Sequence, residues 1–423
     1  MRASSSILRI TLAFALVALL AQPGLAITFD FSFGTNGKFM TTFSDTGSPS
    51  SAGAEVFFQP SGRILVVGSH SQQGTSSRTS GIAIAALTLN GGLVPDYGTA
   101  GKVLAWSPII SISRTNSVML ADGSMLLFHQ HSGSSESRPA ISKYSPGGIF
   151  DPTYNPDLDL FPNQTLAVRI AQAGGGKILA LVRNGDNHYL VRLNPDSSRD
   201  TTFGPNGVRP FNLKRFATQP RVFGLEELPD GKIIVAGTHY LGFDTPTFVA
   251  RFNRDTNLDR SFGLQGAVRV TFQYASAQGV TLKVQPDGKV LVGGAYTFLG
   301  STTLLFRLTT RGKLDTTFGE AGFARTAFNN WNVIRGIELA PDGTLFVTGG
   351  CGAKAAPPNE RLFVIRYSSA GTLVESIVTN FISGREAGSN DILFQPDGRL
   401  VVAGFTQNPG DNNLQFGIAR FNQ

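Results

Sequence analysis

Gln285-Pro286-Asp287-Gly288-Lys289-Val290-Leu291-Val292-Gly293-Gly294 is the stretch of sequence that decides the fold. Proline presets φ at the start of a tight turn, and glycine readily adopts the positive φ that such a turn requires. The β-branched, apolar residues beside the turn are typical of strands. The stretch therefore predicts a β-hairpin with one apolar strand on each side of the Pro-Asp-Gly turn.

The same block recurs seven times along the chain. The turn glycines are 53 to 61 residues apart, and they are Gly62, Gly123, Gly176, Gly231, Gly288, Gly343 and Gly398. Self-similarity at a nearly constant period indicates an array of like units, either closed into a ring or stacked. One such array can absorb all 423 residues, so the length does not require several domains.

A second pattern lies between the hairpins. Its clearest copy is Asp200-Thr201-Thr202-Phe203-Gly204-Pro205-Asn206-Gly207, with further copies at residues 30–37, 259–266 and 315–322 and degenerate ones at Asp96 and Asp151. Each copy separates an upstream strand from a downstream strand, so each unit holds four short strands. Because no helical periodicity follows residue 26, we predict an all-β, seven-bladed β-propeller of four-stranded antiparallel blades.

The two ends of the chain predict how the ring closes. The seventh unit stops after its third strand, and a surplus strand at residues 38–43 precedes the first unit. If this strand completes the last blade, both free sheet edges disappear, whereas an open solenoid leaves them bare. The sequence thus favours closure by the N-terminal strand.

These motifs resemble a known family. The Gln-Pro-Asp-Gly-Lys hairpin at 285–289, followed in other units by Ala250-Arg251-Phe252-Asn253 and Leu258-Asp259 with Phe262-Gly263, is similar to the delta-60 repeat of bacterial secreted proteins. The strand at 288–294 also resembles kelch propellers by analogy. The resemblance implies a propeller fold and export, and it implies no particular chemistry.

The first 26 residues read as a signal peptide. Arg2 and Arg9 precede a short apolar core at residues 10–20, and Gly24-Leu25-Ala26 supplies the small residues of a cleavage site. We expect cleavage near Ala26, a single propeller domain over 27–423, and a secreted or periplasmic protein that is not membrane-embedded. Removing Arg2 and Arg9 lowers the net charge from +7 to +5, and the charges are scattered, so nucleic acid is not an expected partner.

One charge pairing repeats with a spacing of eight residues: Lys143 with Asp151, Arg192 with Asp200, Arg251 with Asp259, and Arg307 with Asp315. In the first unit Thr88 is expected to take the basic place opposite Asp96. A catalytic carboxylate is needed once, so recurrence in several blades indicates a structural pair that holds the turn.

Departures from the repeat are where a binding site is expected. Eight residues after each turn glycine lies an equivalent strand end, occupied in three units by His70, His131 and His239. Loops on the same face carry Arg215, Trp331 and Arg385, and a basic, aromatic mouth of this kind suits an acidic sugar or a carboxylate. No catalytic residue, metal ligand or cofactor is assigned, and the lone Cys351 is expected to be buried.

The sequence therefore favours a secreted binding or surface-interaction module with a protein or carbohydrate ligand, acting as a monomer. It leaves open a secreted enzyme, a hydrolase or lyase acting on sugars at the propeller mouth, and a purely structural surface component. A convergent set of acids and bases near the axis would favour the enzyme.

Overall fold

The computed structural model describes residues 26–43, 49–73, 78–107, 110–132, 137–162, 164–214, 220–238, 246–270, 276–297, 301–328, 331–352, 360–411 and 413–423. These residues form seven antiparallel sheets arranged as the blades of a propeller. The predicted fold class is confirmed. No helix within these ranges is long and apolar enough to cross a membrane.

The chain enters through two short strands, β1 (Thr28–Phe29) and β2 (Lys38–Thr41). Blade one consists of β3 (Pro49–Phe58), β4 (Ile64–Gln73), β5 (Arg78–Leu87) and β6 (Lys102–Ser107). Blade two consists of β7 (Ile110–Met119), β8 (Met125–Ser132), β9 (Ser137–Tyr144) and β10 (Phe150–Asp151). Blade three consists of β11 (Leu166–Ala173), β12 (Lys177–Asn184), β13 (Asn187–Leu193) and β14 (Val208–Phe211).

Blade four consists of β15 (Arg221–Glu227), β16 (Ile233–Thr238), β17 (Thr247–Phe252) and β18 (Ala267–Val270). Blade five consists of β19 (Ser276–Val284), β20 (Val290–Thr297), β21 (Ser301–Leu308) and β22 (Phe323–Ala324). Blade six consists of β23 (Trp331–Leu339), β24 (Leu345–Gly352), β25 (Arg361–Tyr367) and β26 (Leu373–Thr379). Blade seven contains β27 (Ala387–Phe394), β28 (Leu400–Gln407) and β29 (Leu414–Asn422).

The N-terminal strands complete blade seven. β2 pairs with β29, with Lys38 opposite Ala419 and Thr41 opposite Phe416, which confirms the predicted closure. β1 pairs with the C-terminal end of β29, with Phe29 opposite Phe421. The last blade is therefore built from both ends of the chain, and its third strand is covered along most of its length.

The hairpins form as the turn residues predict. Val284 and Val290 face each other across the turn, and Gly288 N donates to Gln285 O at 2.8 Å. Gly288 has φ of +80°, a conformation that residues with a Cβ rarely adopt. The Pro-Asp-Gly turns lie on one face of the propeller, which we call the turn face. The opposite face, the loop face, carries the connections from second to third strands and from each blade to the next.

The core lies between the blades. Within the described residues it divides into seven clusters of buried apolar side chains, and each cluster joins two consecutive blades. One of these clusters joins blade seven to blade one through Val401, Phe416 and Val66. Second strands are buried on both faces, as in β16, where every residue is buried. Burial on both sides explains why these strands are continuous apolar runs, and the cluster between the first and last blades shows that the ring is closed.

Candidate functional site

The repeated ion pairs lie at the outer part of the blades and are structural. Arg307 Nε lies 2.8 Å from Asp315 Oδ2, and each side chain is 7% exposed. The guanidinium also stacks on Phe318 and donates to Ser369 O of the next blade at 2.7 Å. Burial alone would raise the pKa of Asp315, but hydrogen bonds from Thr317 and the nearby cations lower it to about 2. The carboxylate is thus held ionised, as a turn-pinning role requires.

The other predicted pairs form in the same way. Lys143 lies 3.4 Å from Asp151, Arg192 lies 2.6 Å from Asp200, and Arg251 lies 2.8 Å from Asp259. Next to the pairs in blades four and five, the Phe-Gly segment docks on the following blade. Gly263 N, for example, donates to Arg311 O at 2.7 Å, and a Cβ on Gly312 would lie 2.9 Å from the Phe262 ring. The module therefore ties neighbouring blades together as well as pinning its own turn.

Blade seven has its own pair, formed by the two ends of the chain. Arg420 is fully buried, and its Nε lies 2.8 Å from Asp30 Oδ2. Arg420 Nη2 also donates to Ser32 Oγ at 2.8 Å, and the guanidinium stacks on Phe33. Sequence reasoning missed this pair, because its partners are about as far apart in sequence as the domain allows.

Blade one departs from the predicted pairing. Ala86 accepts the backbone hydrogen bond from Val94 N, just as Arg251 accepts that from Asp259 N, so Ala86 and Val94 occupy the pair positions. The expected opposition of Thr88 and Asp96 is wrong by two residues. Asp96 instead lies 2.8 Å from Arg63 on the turn face, with 72% of its side chain exposed.

Of the three predicted strand-end histidines, two are described. His70 is 1% exposed, contacts Ser51 Oγ through Nδ1 at 2.7 Å, and lies beside Phe43 in the interface of blades seven and one. Burial lowers the pKa of His70 to about 4, so the ring is neutral at pH 7. His131 ends β8 and is half-buried. Its neighbour His129 is buried against Ser142 Oγ at 2.9 Å.

The predicted loop residues lie apart from these histidines in sequence and in blade. Trp331 begins β23 at the loop face, half-buried, with the Arg335 guanidinium stacked 5.4 Å from its ring. Arg385 is half-buried and donates to Pro409 O at 3.1 Å. His239 and Arg215 lie outside the described residues. Ligand binding by these six residues stays a prediction. Cys351 is fully buried, which raises the pKa of its thiol to about 11.

The structure brings together a different set of residues at the axis. The first strand of each blade lies innermost, and one set of its side chains packs between blades, such as Val56 and Ile392, which are 5% and 2% exposed. The alternate set stays half-buried, because no further strand lies between it and the axis. In this set seven polar side chains form what we call the axial cluster: Glu55, Asn116, Arg169, Glu226, Lys283, Glu338 and Asp391.

Two carboxyls of the axial cluster are held by the next blade. Asp391 Oδ2 accepts from Val56 N, and Glu55 Oε2 accepts from Ser117 N, both at 3.0 Å. Burial, together with the charge of Asp391, raises the pKa of Glu55 to about 8. Burial, together with Glu338, raises the pKa of Asp391 to about 6. At neutral pH Glu55 therefore mostly retains its proton, whereas Asp391 is mostly ionised.

The cations of the cluster lie among these acids. Lys283 Nζ lies 2.9 Å from Glu338 Oε2. Burial alone would lower the pKa of Lys283, but Glu338, Asp391 and Glu226 raise it, so Lys283 stays charged. Arg169 donates to Asn116 Oδ1, and its charge also acts on Glu55 two blades away. Interactions that skip a blade show that the cluster converges on one place.

A β-bulge lies next to Glu55 and Asp391 on their innermost strands, on the side away from the turn. The register of blade seven shifts between Ser389 and Asp391, and that of blade one shifts between Gly53 and Glu55. The pairing from the turn to Glu55 and to Asp391 is regular, so the shift falls just beyond these two residues. The sequence does carry one indication of the axial cluster. The positions of Glu55 and Asp391 are occupied by glycine in other blades, at Gly224 and Gly336.

The cluster can donate and accept hydrogen bonds at the same place. Protonated carboxyls donate, ionised carboxylates accept, and guanidinium and ammonium groups donate. Among the residues that the structure describes, His, Cys, Asp and Glu side chains form no group of three or more that could hold a metal ion. The arrangement suits an organic polar ligand and proton transfer between two acids of different pKa.

Comparisons with known proteins agree with the fold. A family model for the DUF5122 beta-propeller, described as a domain of unknown function, matches residues 181–203, 228–262, 285–318 and 395–423. These segments lie in blades three, four, five and seven, the blades in which an arginine pairs with Asp200, Asp259, Asp315 or Asp30. No curated protein matches the chain.

Among solved structures, the polysaccharide lyase Uly1 is similar with a TM-score of 0.52 and 11% identity over 88% of this chain and 90% of that one. A protein of unknown function from Dyadobacter fermentans gives a TM-score of 0.47 and 14% identity over 91% of this chain and 99% of its own. Identities this low show the fold alone. The likeness to the delta-60 repeat and to kelch stays a prediction, and the chain is similar to DUF5122 propellers in four of its seven blades.

Proposed function

We propose that the protein is an exported binding module that holds a polyhydroxylated ligand, a carbohydrate, at the axial cluster. The observation that carries the proposal is the convergence of Glu55, Asp391, Lys283 and Glu338 at the axis, where their side chains are half-buried. Charged groups are expensive to enclose, and their sign changes from blade to blade, so an architectural need that is the same in every blade does not explain them.

The chemistry of the cluster fits hydroxyl groups. Each sugar hydroxyl donates one hydrogen bond and accepts others, and the cluster offers both kinds of partner within a small space. Trp331 begins an innermost strand at the loop face and supplies an aromatic surface at that entrance. Ligand sites commonly combine such an aromatic wall with a few convergent polar groups.

A second candidate is an enzyme that cleaves sugars, and it is favoured by one observation. The pKa values of Glu55 and Asp391, about 8 and about 6, differ although both groups are carboxyls. A protonated acid beside a more acidic one is the arrangement that glycosidic bond cleavage uses for its acid and base. In that case Glu55 donates the proton and Asp391 accepts one.

Calorimetric titration with a panel of soluble oligosaccharides tests the binding function. We expect Glu55→Gln and Asp391→Asn each to weaken binding at least tenfold, which corresponds to about 1.4 kcal/mol. Asp287→Asn serves as the matched control, because Asp287 lies in a turn with 55% of its side chain exposed. The proposal is contradicted if the unaltered protein binds no saccharide, or if both axial variants bind with the same affinity as the unaltered protein.

The same preparations separate the enzyme from the binding module. New reducing ends or unsaturated products that form with the unaltered protein and disappear in Glu55→Gln favour the enzyme. Saccharide binding without product, over prolonged incubation, favours the binding module.

A further inference from the structure

Side-chain exposure changes abruptly at the junction between the predicted signal peptide and the propeller. Ala26 is exposed, whereas Ile27 is 3% exposed and packs in the core between blades six and seven. The change from exposed to buried falls at the bond where cleavage is expected. Of the two described residues that form this bond, Ile27 belongs to that core cluster and Ala26 does not.

The backbone nitrogen of Ile27 points at a carboxylate. Ile27 N donates to Glu375 Oε1 at 2.8 Å, and Glu375 lies on the outermost strand of blade six. The other carboxylate oxygen, Oε2, lies 3.2 Å from Arg366 Nη2. The Glu375 side chain is 25% exposed, so an added charge beside it is only partly screened by water.

We propose that the Ala26–Ile27 bond is a proteolytic processing site, and that the amine released at Ile27 forms an ion pair with Glu375 that fastens the N-terminal segment to blade six. Water adds across the C–N bond in a reaction catalysed by a peptidase of the export machinery. Ala26 leaves as a carboxylate on the removed peptide, and the Ile27 nitrogen takes up a proton and becomes an ammonium.

Processing therefore changes the charge of a contact whose geometry already exists. An amide N–H gives the carboxylate one neutral donor, whereas an ammonium gives it a charge-assisted one, which is about twice as strong. The segment that follows is β1 and then β2, the strands that close the ring on β29. Fastening Ile27 to blade six thus anchors the closing strands to a second blade.

Other charged groups around the junction leave this pairing in place. Arg366 faces the opposite oxygen of Glu375, and Lys38 Nζ donates to Asn380 O at 3.0 Å while lying over the Phe29 ring. A free α-amine has a pKa of about 8, and an adjacent carboxylate raises it. The added stability is therefore fully present below about pH 8 and is lost as the pH rises through the raised value.

Two purified chains test the proposal, one beginning at Ile27 and one beginning at Ala26, each released from a cleavable fusion that leaves no extra residue. Both keep the N–H of residue 27, and only the first carries the charge there. We expect the chain beginning at Ile27 to melt about 2 °C higher at pH 6, and the difference to vanish at pH 10. Equal melting temperatures at pH 6 overturn the proposal.

Substitution of Glu375 in both chains completes a thermodynamic cycle. In Glu375→Gln the two chains should melt at the same temperature, whereas in Glu320→Gln, a control at an exposed glutamate of blade five, the difference should persist. A difference that survives Glu375→Gln assigns the effect to another contact and overturns the ion pair. Mass spectrometry of the exported protein tests the cleavage itself, since any N-terminus other than Ile27 contradicts it.

Discussion

The outer ion pairs and the axial cluster use the same residue types with opposite results. At the outer position Asp315 is surrounded by a guanidinium, an ammonium and a hydroxyl, and its pKa is lowered. At the axis Glu55 has Ser117 and a distant Arg169 but also a neighbouring acid, so burial dominates and its pKa is raised. The comparison teaches that partners in three dimensions, and not the residue type, decide whether a buried carboxyl stays ionised.

Repetition separates the two regions as well. The outer pair recurs from blade to blade with the same geometry, and it stabilises turns and blade contacts. The axial residues change in charge around the ring, from Glu55 to Arg169 to Lys283. Residues that recur from blade to blade stabilise the architecture, whereas residues that vary from blade to blade are where a ligand site is expected.

The largest expected effect comes from breaking the ring at the closing blade. Deletion of residues 38–41 removes β2 from β29 and leaves that strand exposed along half its length. We expect the melting temperature to fall by more than about 10 °C, because both packing and a set of backbone hydrogen bonds are lost. Calorimetry measures this, and an unchanged transition would contradict closure by the N-terminal strand.

Removing one partner of a buried outer pair should have the next largest effect. Arg307→Ala leaves Asp315 buried with only Lys289 nearby, at 3.3 Å, and removes the stack on Phe318. We expect a loss of about 3 kcal/mol in the free energy of unfolding, measured by urea denaturation. A loss no larger than that of a surface substitution would show that the pair is not structural.

At the axis the expected effect is a change in pH dependence. Because the pKa of Glu55 is raised to about 8 in the folded protein, its contribution to stability is present at low pH and is lost as pH rises through that value. Glu55→Gln removes the titration, so its melting temperature should fall less than that of the unaltered protein between pH 5 and pH 9, by several degrees. Parallel pH profiles for the two proteins would place Glu55 in an ordinary solvated environment.

The smallest effect is expected for the exposed pair of blade one. Asp96 is 72% exposed, so Asp96→Asn should change the free energy of unfolding by less than about 1 kcal/mol. The same denaturation measurement serves as the reference for Arg307→Ala. A loss of several kcal/mol in this variant would mean that position along the blade, rather than burial, determines how much an ion pair contributes to the free energy of unfolding.

Much of the fold was predictable because its signals are local. The turn at Gly288 and the Arg–Asp spacing of eight residues lie within single units, and the missing fourth strand of the last unit identified its substitute at residues 38–43. The pairing in blade one was predicted two residues out of place, because Asp96 mimics the motif while Val94 occupies its position.

The candidate site was less predictable because its members are distant in sequence. Glu55 and Asp391 act on each other although nearly the whole ring separates them along the chain. The histidines were predicted as site residues because they occupy equivalent positions in the repeat. Their environments differ, since His70 is buried beside Phe43 and His131 is half-buried.

By itself the sequence determined the number of blades, the hairpins, the four outer pairs of blades two to five and the strand that closes the ring, because each depends on turn chemistry, alternation or a short repeat. Only the tertiary structure decided that four acids and two cations meet at the axis, that Asp30 joins Arg420, and that Ile27 meets Glu375. The physical reason is that charge pairing and burial depend on distances in space, and ring closure brings together residues that the chain keeps far apart.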